Sequence, residues 1–277
     1  MSIKGHKGVS SPMLGRFAAF CVPLLVLNCA TAPSKPAAVS ACGSASASVF
    51  DGTLQEKEAT PEVTTAELRA ALVDSRVVVL DARPAEEYAV SHIPGARSVP
   101  GKPGLSAALY TADANEARRM VSDTATPVIV YCNGLFCGRS KRFAAELLKA
   151  GYTSVRRYQL GIPAWRALGG VTQVEKVALV RLVFEDRTSL LVDAREGDAA
   201  LPPLERATRI TAAAVPMAKD DGRLPMTDHN TRILVVAESG TKARAAAEAI
   251  IHGAFGNVSF FDGGVTELPE LLQPNAK

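Results

Sequence analysis

The sequence is poor in cysteine and in aromatic residues and has almost no net charge, and each shortage excludes a class of protein. It has five cysteines among 277 residues; three lie in the N-terminal leader and none follows Cys137. Only Cys132 and Cys137 fall in the part of the chain that we expect to fold. A domain held together by a network of disulfides is therefore excluded.

The charge balance and the few aromatic residues also argue against a nucleic-acid partner. The chain has 31 Lys and Arg against 28 Asp and Glu, a formal net charge of +3, and 5% aromatic residues. Nucleic-acid binding requires concentrated positive charge, and single-stranded targets also require aromatic residues interleaved with it. We find no glycine-rich phosphate loop, dinucleotide fingerprint or metal-ligand spacing, so we expect neither a cofactor nor a metal.

The chain begins with a pattern typical of an exported protein. Basic residues precede an apolar run from Phe17 to Leu27, which is too short to span a bilayer but suits the core of a signal peptide. The segment that ends in Asn28-Cys29 resembles a bacterial lipoprotein signal. This resemblance implies that Cys29 is lipidated and tethers the protein to a bacterial membrane in the periplasm. Soluble export after cleavage near Ala32 is one alternative, and an uncleaved anchor or a cytoplasmic location is the other.

Four segments of the first half of the chain recur in the same order in the second half. The pairs are VVVLDAR at 77–83 with LLVDAR at 190–195, HIPGA at 92–96 (leading to Val99-Pro100) with RITAA at 209–213 (leading to Val215-Pro216), VIVY at 128–131 with ILVV at 233–236, and 155–165 with 258–268. Matches in the same order indicate two copies of one domain.

This repeat sets the domain organisation. We expect a lipoprotein-type signal peptide at residues 1–32 and a flexible tether rich in Ala, Ser and Pro at 33–60. The first domain then covers residues 61–172 and the second 173–277. Each is long enough to bury its own core.

Within each copy, short apolar runs alternate with helical patterns. Residues 77–80 and 128–131 are typical of strands buried on both faces of a parallel sheet. The predicted helices are 65–73, 86–90, 115–121 and 140–150. The last is expected to begin with Ser140 as its N-cap and to end at Gly151. Alternating strands and helices predict an open α/β sheet, in which sites form where the strands end. Cys132 lies at such an end.

Several motifs together resemble the rhodanese family. They are Asp81-Ala82-Arg83 with Glu87-Tyr88, His92-Ile93-Pro94-Gly95-Ala96, Tyr131-Cys132 with its Gly-bearing loop, Arg139-Ser140, Gly151-Tyr152, and Gly161 through Trp165. The resemblance covers roughly residues 62–170 and implies two tandem rhodanese-like domains, each an open parallel sheet flanked by helices. Any one of these motifs alone would be weak, whereas their combination in this order is specific.

The resemblance also implies a sulfurtransferase. Cys132 would take a sulfane sulfur from a donor such as thiosulfate, hold it as a persulfide, and pass it to a thiol or cyanide. Arg139 would be the second catalytic residue, Asp81 would organise a turn, and Arg83 would support the neighbouring loop unless it forms a surface ion pair with Glu87. The substrate-binding loop would comprise Asn133, Gly134, Leu135, Phe136, Cys137, Gly138 and Ser140.

The loop departs from the family pattern. Eight positions run from Cys132 to Arg139, where the family usually has six, and a second cysteine is present. Aligning on Ser140 favours Cys132 as the nucleophile, with Cys137 as the alternative. The pair also suggests two rival functions: a thiol–disulfide redox or sulfur-carrier protein with a periplasmic partner, and, from the loop's size, an oxyanion-handling phosphatase or arsenate reductase. A further alternative is a non-catalytic binding scaffold.

The second copy has no cysteine at the matching position. Aligned on its preceding strand, the family's cysteine falls on Ala237, and an alanine cannot carry a persulfide. We therefore expect the second domain to be catalytically silent and to serve as a structural or docking partner. We also expect His92 and Trp165 to have packing or structural hydrogen-bonding roles.

Overall fold

Two apolar runs form the centre of the first parallel sheet. In the computed structural model, which describes residues 60–106, 109–197, 204 and 206–272, its strands are β1 (Val78–Asp81), β2 (Arg97–Ser98), β3 (Val128–Tyr131) and β4 (Val155–Tyr158), in the order β2-β1-β3-β4. All pairings are parallel. Every residue of β3 is buried, as the uninterrupted apolar run predicts for a strand covered on both faces.

Five helices accompany this sheet. They are α1 (Thr65–Val73), α2 (Ala85–Val90), α3 (Ala114–Met120), α4 (Gly138–Lys149) and α5 (Gly161–Ala167). One apolar cluster contains Phe143 and Leu147 of α4, and another contains Leu68 of α1 and Trp165 of α5. Layers of helix on both sides of a sheet of parallel strands define an α/β fold.

The second half forms another parallel sheet. Its strands are β5 (Thr172–Val174), β6 (Leu190–Asp193), β7 (Ala207–Arg209), β8 (Ile233–Val236) and β9 (Val258–Phe261), in the order β5-β9-β8-β6-β7. Its helices are α6 (Lys176–Glu185), α7 (Val215–Asp220), α8 (Gly240–Ile251) and α9 (Pro269–Leu272), with 3-10 turns at Ala212–Ala214 and Val265–Glu267. The predicted α/β class, with parallel sheets flanked by helices, is confirmed.

Three of the four repeated segments take equivalent places in the two sheets, as two pairs of backbone hydrogen bonds demonstrate. Ala82 N–H donates to the carbonyl of Tyr131 (3.0 Å), and Ala194 N–H donates to that of Val236 (2.8 Å). Ile162 N–H donates to the carbonyl of Cys132 (3.1 Å), and Val265 N–H donates to that of Ala237 (2.9 Å). Ala237 therefore occupies the place of Cys132 in the second sheet.

The fourth repeated segment was aligned wrongly. Val99 N–H donates to the carbonyl of Asp81 (3.3 Å), and the equivalent bond in the second sheet comes from Ile210 to Asp193 (3.1 Å). Val99 therefore corresponds to Ile210, not to Val215, which begins α7. The shared Val-Pro dipeptide is a chance match, because Val99 directly follows β2 whereas Val215 lies six residues beyond the end of β7.

The predicted start of α4 was also wrong. The helix begins at Gly138, and its N-cap is Cys137, whose backbone is extended (φ −88°, ψ 101°). Ser140 lies inside the first turn, where its hydroxyl accepts a hydrogen bond from Cys132 instead of capping the helix. The loop that leads into the helix therefore runs from Cys132 to Cys137, because Gly138 and Arg139 are already helical.

His92 joins the two halves. Its backbone N–H donates to the carbonyl of Gln173 (3.0 Å), and Gln173 N–H donates back to the carbonyl of His92 (2.8 Å). The imidazole is buried, stacks on the ring of Tyr88 and places Nδ1 3.0 Å from the Tyr88 carbonyl. Burial lowers the pKa of His92 to about 4, so the ring is neutral at pH 7. Nearby, Glu175 N–H donates to the carbonyl of Ala89 in α2 (2.8 Å).

The signal peptide, the tether and Cys29 lie outside the described residues. Among those that are described, no helix is both long and apolar enough to cross a bilayer.

Candidate active site

Cys132 directly follows β3 and points beneath the loop that it begins. Its side chain is buried, with 1% of its surface exposed. The sulfur of Cys132 lies 3.2 Å from the carbonyl oxygen of Cys137 and 3.3 Å from the hydroxyl oxygen of Ser140, both within hydrogen-bond distance of its single proton. The pKa of Cys132 is raised well above its ordinary value, because the thiol keeps its proton in a hydrogen bond to the Cys137 sulfur and because it is buried.

Cys137 sits at the other end of the loop and is half-buried. Its pKa is lowered, first by the hydrogen bond from the Cys132 thiol and then by the backbone N–H groups of Asn133 and Arg139. The start of a helix adds the positive end of the helix dipole, which favours a thiolate. The two shifts have opposite directions, so Cys137 is the cysteine of the pair that favours the thiolate and Cys132 the one that favours the thiol.

Two glycines allow the loop to close over the sulfurs. Gly134 has a φ of +103°, and its carbonyl accepts from Cys137 N–H (3.0 Å) in the turn before α4. Gly161 (φ +61°) lies so close to the loop that a Cβ there would be 2.2 Å from the Cys132 oxygen and 2.4 Å from the Gly134 nitrogen. Any side chain at position 161 would clash with the loop, so only glycine can occupy this position. The close contact between Gly161 and the loop thereby fixes the shape of the loop.

Glu87 of α2 anchors the outside of the loop. Its carboxylate accepts hydrogen bonds from Arg139 Nη1 (2.9 Å) and from the side-chain amide of Asn133. The Arg139 guanidinium also lies over the ring of Tyr110, 5.8 Å from its centre. Arg139 is therefore held beside Cys137 by two neighbours that come from other elements.

Asp81 and Arg83 lie beneath the site and do not reach the sulfurs. The Arg83 guanidinium forms a buried bidentate salt bridge with Asp81 (Nε–Oδ1 3.0 Å, Nη2–Oδ2 2.6 Å). It also donates a hydrogen bond to the carbonyl of Ser91 (2.7 Å). The hydroxyl of Tyr131 also donates to Asp81 (2.6 Å). Arg83 does not pair with Glu87, which pairs with Arg139 instead, so the alternative of a surface ion pair with Glu87 was wrong.

The remaining loop residues surround the thiols. Leu135 and Gly138 are half-buried, Ser140 is buried, and the ring of Phe136 is 90% exposed. The structure thus brings all predicted loop residues together and keeps Asp81 and Arg83 as a layer below them. In the described part of the chain no cluster of His, Cys, Asp or Glu could hold a metal ion.

Comparison with known proteins assigns part of the first half of the chain to a protein family. A family model for the rhodanese-like domain matches residues 64–168. This segment holds β1 to β4, the Cys132–Cys137 loop and Gly161. Residues 64–168 form a rhodanese-like domain. The predicted resemblance is confirmed for this part of the chain, and no curated protein matches the chain.

Solved structures similar to the chain include sulfurtransferases. A Bacillus halodurans protein is 26% identical over 42% of this chain and 77% of its own (TM-score 0.35). A thiosulfate sulfurtransferase of Pseudomonas aeruginosa is 19% identical over 77% and 43% (TM-score 0.35), and a 3-mercaptopyruvate sulfotransferase of Escherichia coli is 18% identical over 74% and 98% (TM-score 0.34). Because these TM-scores are low, the family assignment rests on the family model and on the motifs of the rhodanese-like domain.

The corresponding loop in the second sheet is shorter and has no thiol. Ala237 is buried, and Ser239 caps α8 by accepting from Lys242 N–H (3.4 Å). Only Ala237, Glu238 and Ser239 lie between β8 and α8. A three-residue connection cannot enclose a sulfur as the longer loop of the rhodanese-like domain does.

Two residues that shape the site were not predicted as site residues. Glu87 appears in the first rhodanese-like motif and as an alternative partner of Arg83, and Tyr110 has no predicted role. Glu87 and Arg139 are 52 positions apart, so no local pattern links them. The acidic Glu86-Glu87 pair in the first turn of α2, which follows Arg83 closely in the sequence, was the one signal that could have directed attention to Glu87.

Proposed function

We propose that the rhodanese-like domain is a sulfurtransferase that takes sulfane sulfur from thiosulfate as a cysteine persulfide and delivers it to a thiol or cyanide. The observation that carries the proposal is the pair of thiols enclosed by the loop between β3 and α4. Membership of residues 64–168 in the rhodanese-like family supports the reaction class.

The surroundings of the loop suit an anionic sulfur donor. Backbone N–H groups of Asn133 and Arg139 lower the pKa of Cys137, and the N-terminus of α4 adds positive potential. The Arg139 guanidinium lies at the rim with 22% of its side chain exposed. Such a site stabilises both a thiolate and the negative charge of thiosulfate or of the departing sulfite.

Thiocyanate formation from thiosulfate and cyanide tests the proposal. The wild-type full chain should form thiocyanate, and the double variant Cys132→Ser, Cys137→Ser should not. Ser239→Ala, in the corresponding loop of the second sheet, is the matched control and should keep the wild-type rate. A double variant as active as the wild type would refute a cysteine persulfide in this loop.

A second function is favoured by the position of the two free cysteines in one loop. The Cys132 sulfur lies 3.2 Å from the backbone oxygen of Cys137, and neighbouring thiols can form a reversible disulfide on oxidation. A thiol–disulfide protein with a periplasmic partner would use this pair without sulfane sulfur. It would exchange disulfides with a dithiol yet make no thiocyanate, so assays of the two products with the wild type separate the two functions.

We further propose that the protein works outside the cytoplasm on a lipid anchor at Cys29. The leader pattern supports this location. Radiolabelled palmitate incorporation, with membrane fractionation, should depend on Cys29: Cys29→Ser should lose the label and leave the membrane fraction, whereas Cys42→Ser should keep both. Label in the Cys29→Ser protein would contradict the assignment.

The second half is proposed to be a second rhodanese-like domain without catalytic function. Its strand order and the equivalence of Ala237 with Cys132 support this. Its role would be to support α2, through His92, Gln173 and Glu175, and to offer a docking surface.

A further inference from the structure

We propose that Cys137 attacks the sulfur donor and that Cys132 then expels the bound sulfur as sulfide, closing a disulfide within the loop. The protein would thereby reduce a sulfane sulfur at the expense of a dithiol, in addition to transferring it. This inference rests on the proposed function, because it requires the loop to react with a sulfane-sulfur donor.

Access to the two sulfurs favours Cys137 as the attacking residue. Only 1% of Cys132 is exposed, and its thiol is turned toward the Cys137 carbonyl and the Ser140 hydroxyl of the first turn of α4. Displacement at sulfur needs a nearly linear approach of nucleophile, sulfane sulfur and leaving group. A thiosulfate ion cannot take up that line at a thiol covered by the loop, whereas half-buried Cys137 lies at the rim beside Arg139.

The positions of the two cysteines divide the roles in the same way. Cys137 is the N-cap of α4, and the Cys132 thiol and the backbone N–H groups of Asn133 and Arg139 lower its pKa. The positive end of the helix dipole favours the thiolate of a cysteine at this position. Cys132 is the donor of the pair, so it enters the reaction as a thiol.

In the first step the Cys137 thiolate attacks the outer sulfur of thiosulfate. A sulfur–sulfur bond to Cys137 forms, the bond between the two sulfurs of thiosulfate breaks, and its electron pair leaves with sulfite. The negative charge of the thiolate passes to the terminal sulfur of the new persulfide. No proton is taken up or released in this step.

In the second step Cys132 attacks the inner sulfur of the persulfide, which is the Cys137 sulfur. The thiol proton of Cys132 moves to the terminal sulfur, which departs as hydrosulfide with the electrons of the persulfide bond. The sulfane sulfur is reduced to sulfide, and the two cysteines are oxidised to a disulfide. Because the Cys132 sulfur lies 3.2 Å from the backbone oxygen of Cys137, the nucleophile is next to the residue that holds the persulfide, and it brings the proton that the leaving sulfur takes.

A dithiol reductant completes the cycle. It attacks the Cys132–Cys137 disulfide, is itself oxidised to a disulfide and returns both cysteines to the thiol state. One thiosulfate and one dithiol are thus converted to sulfite, sulfide and the oxidised dithiol. In the absence of the dithiol the protein should stop after one turnover.

The test is a single turnover of the reduced full chain with thiosulfate and no added thiol. Sulfite and sulfide are quantified, and the peptide released by trypsin from Met120 to Arg139, which contains both cysteines, is analysed by mass spectrometry. The wild type should release about one equivalent each of sulfite and sulfide and hold a disulfide in this peptide. The double variant Cys132→Ser, Cys137→Ser gives the background from the leader cysteines.

The single variants separate the two roles. Cys132→Ser should release sulfite but no sulfide, and its peptide should gain one sulfur at Cys137. Cys137→Ser should release neither product. Should the buried serine prevent folding, Cys132→Ala carries the same expectation, because either replacement removes the nucleophile that expels sulfide.

Two results would overturn this inference and leave the proposed function intact. One is sulfur gained at Cys132 in the Cys137→Ser protein, which would make Cys132 the acceptor of sulfur. The other is sulfide released by Cys132→Ser as fast as by the wild type, which would remove its resolving role. If the wild type releases no more sulfite than the double variant, the proposed function itself fails.

Discussion

The carboxylate of Glu87 accepts a hydrogen bond from the Arg139 guanidinium at 2.9 Å and so joins α2 to the first turn of α4. This pair neutralises the Arg139 guanidinium, which lies beside Cys137 at the rim of the loop. Arg139 therefore offers an incoming anion less positive charge than an unpaired arginine would. The pair also fixes where that arginine lies.

The substitution Glu87→Gln should strengthen the binding of thiosulfate. The amide oxygen of the new side chain can still accept from Asn133, whereas the charge of Arg139 is no longer neutralised. A half-exposed ion pair is worth about 0.3–1 kcal/mol, so the KM for thiosulfate should fall about 2- to 5-fold at low salt. The measurement is KM at several ionic strengths, with Glu86→Gln as the control. A KM that rises, or a fall of the same size in Glu86→Gln, would contradict the assigned role.

Replacing Gly161 by Ala should disable the loop. A Cβ at this position would be 2.2 Å from the Cys132 oxygen, so the loop must move, and we expect thiocyanate formation to fall at least about 10-fold. Gly151→Ala is the matched control: it has a positive φ as well (+96°), but a Cβ there would contact nothing within 4 Å. Backbone strain should cost both variants about 1 kcal/mol of stability; Gly161→Ala should lose more because of its clash with the loop, and it alone should lose activity. Equal activities of the two variants would show that Gly161 does not shape the active site.

Replacing Tyr131 by Phe should destabilise the protein by about 1–3 kcal/mol, the cost of leaving buried polar groups without a partner. The lost hydroxyl donates to Asp81 (2.6 Å) and accepts from Ile93 N–H (3.2 Å), and both partners are buried. Tyr158→Phe removes a part-buried hydroxyl that bonds the side chain of Thr65 and should cost less. Urea unfolding of the two variants gives the comparison, and equal losses would disprove the importance of the layer formed by Asp81, Arg83 and Tyr131.

His92 should make the protein less stable in mild acid. Because its pKa is lowered to about 4 in the folded chain, the unfolded chain binds the proton first, near pH 6.5. The stabilisation is fully present above pH 6.5 and is lost as the pH falls toward 4; about 2 kcal/mol should disappear between pH 7 and pH 5. His92→Asn, which can still donate to the Tyr88 carbonyl, should flatten this dependence, whereas replacement of exposed His252 should not. Urea unfolding at several pH values is the measurement, and an unchanged slope in His92→Asn would assign the acid sensitivity to other groups.

The fold could be predicted because its strands are uninterrupted apolar runs. Residues 128–131 were predicted as a strand with the observed limits, and the helix at 65–73 begins after Thr64, whose capping box with Glu67 is a local signal. Such features depend on neighbours within a few positions. They are therefore encoded in short stretches of sequence.

The details of the site depend on contacts between distant segments, and for that reason the sequence predicted them less well. Ser140 has the residue type of an N-cap, yet its hydroxyl accepts from Cys132, and Cys137 takes the cap position. Once the helix begins at Gly138, the apparently long loop shortens to the stretch between the two cysteines. The burial of Cys132 beneath this stretch follows from Gly161, which closes on it from another helix.

The backbone pairing of His92 with Gln173, and of Ala89 with Glu175, has a consequence for how this protein can evolve. Helix α2, which presents Glu87 to the loop, is tied at its end to residues that lie beyond the rhodanese-like segment. A gene that lost the second half would leave this helix without its support, even though that half has no cysteine. Natural selection on the site at the first sheet would in this way also preserve the second sheet, which has Ala237 in the place of Cys132.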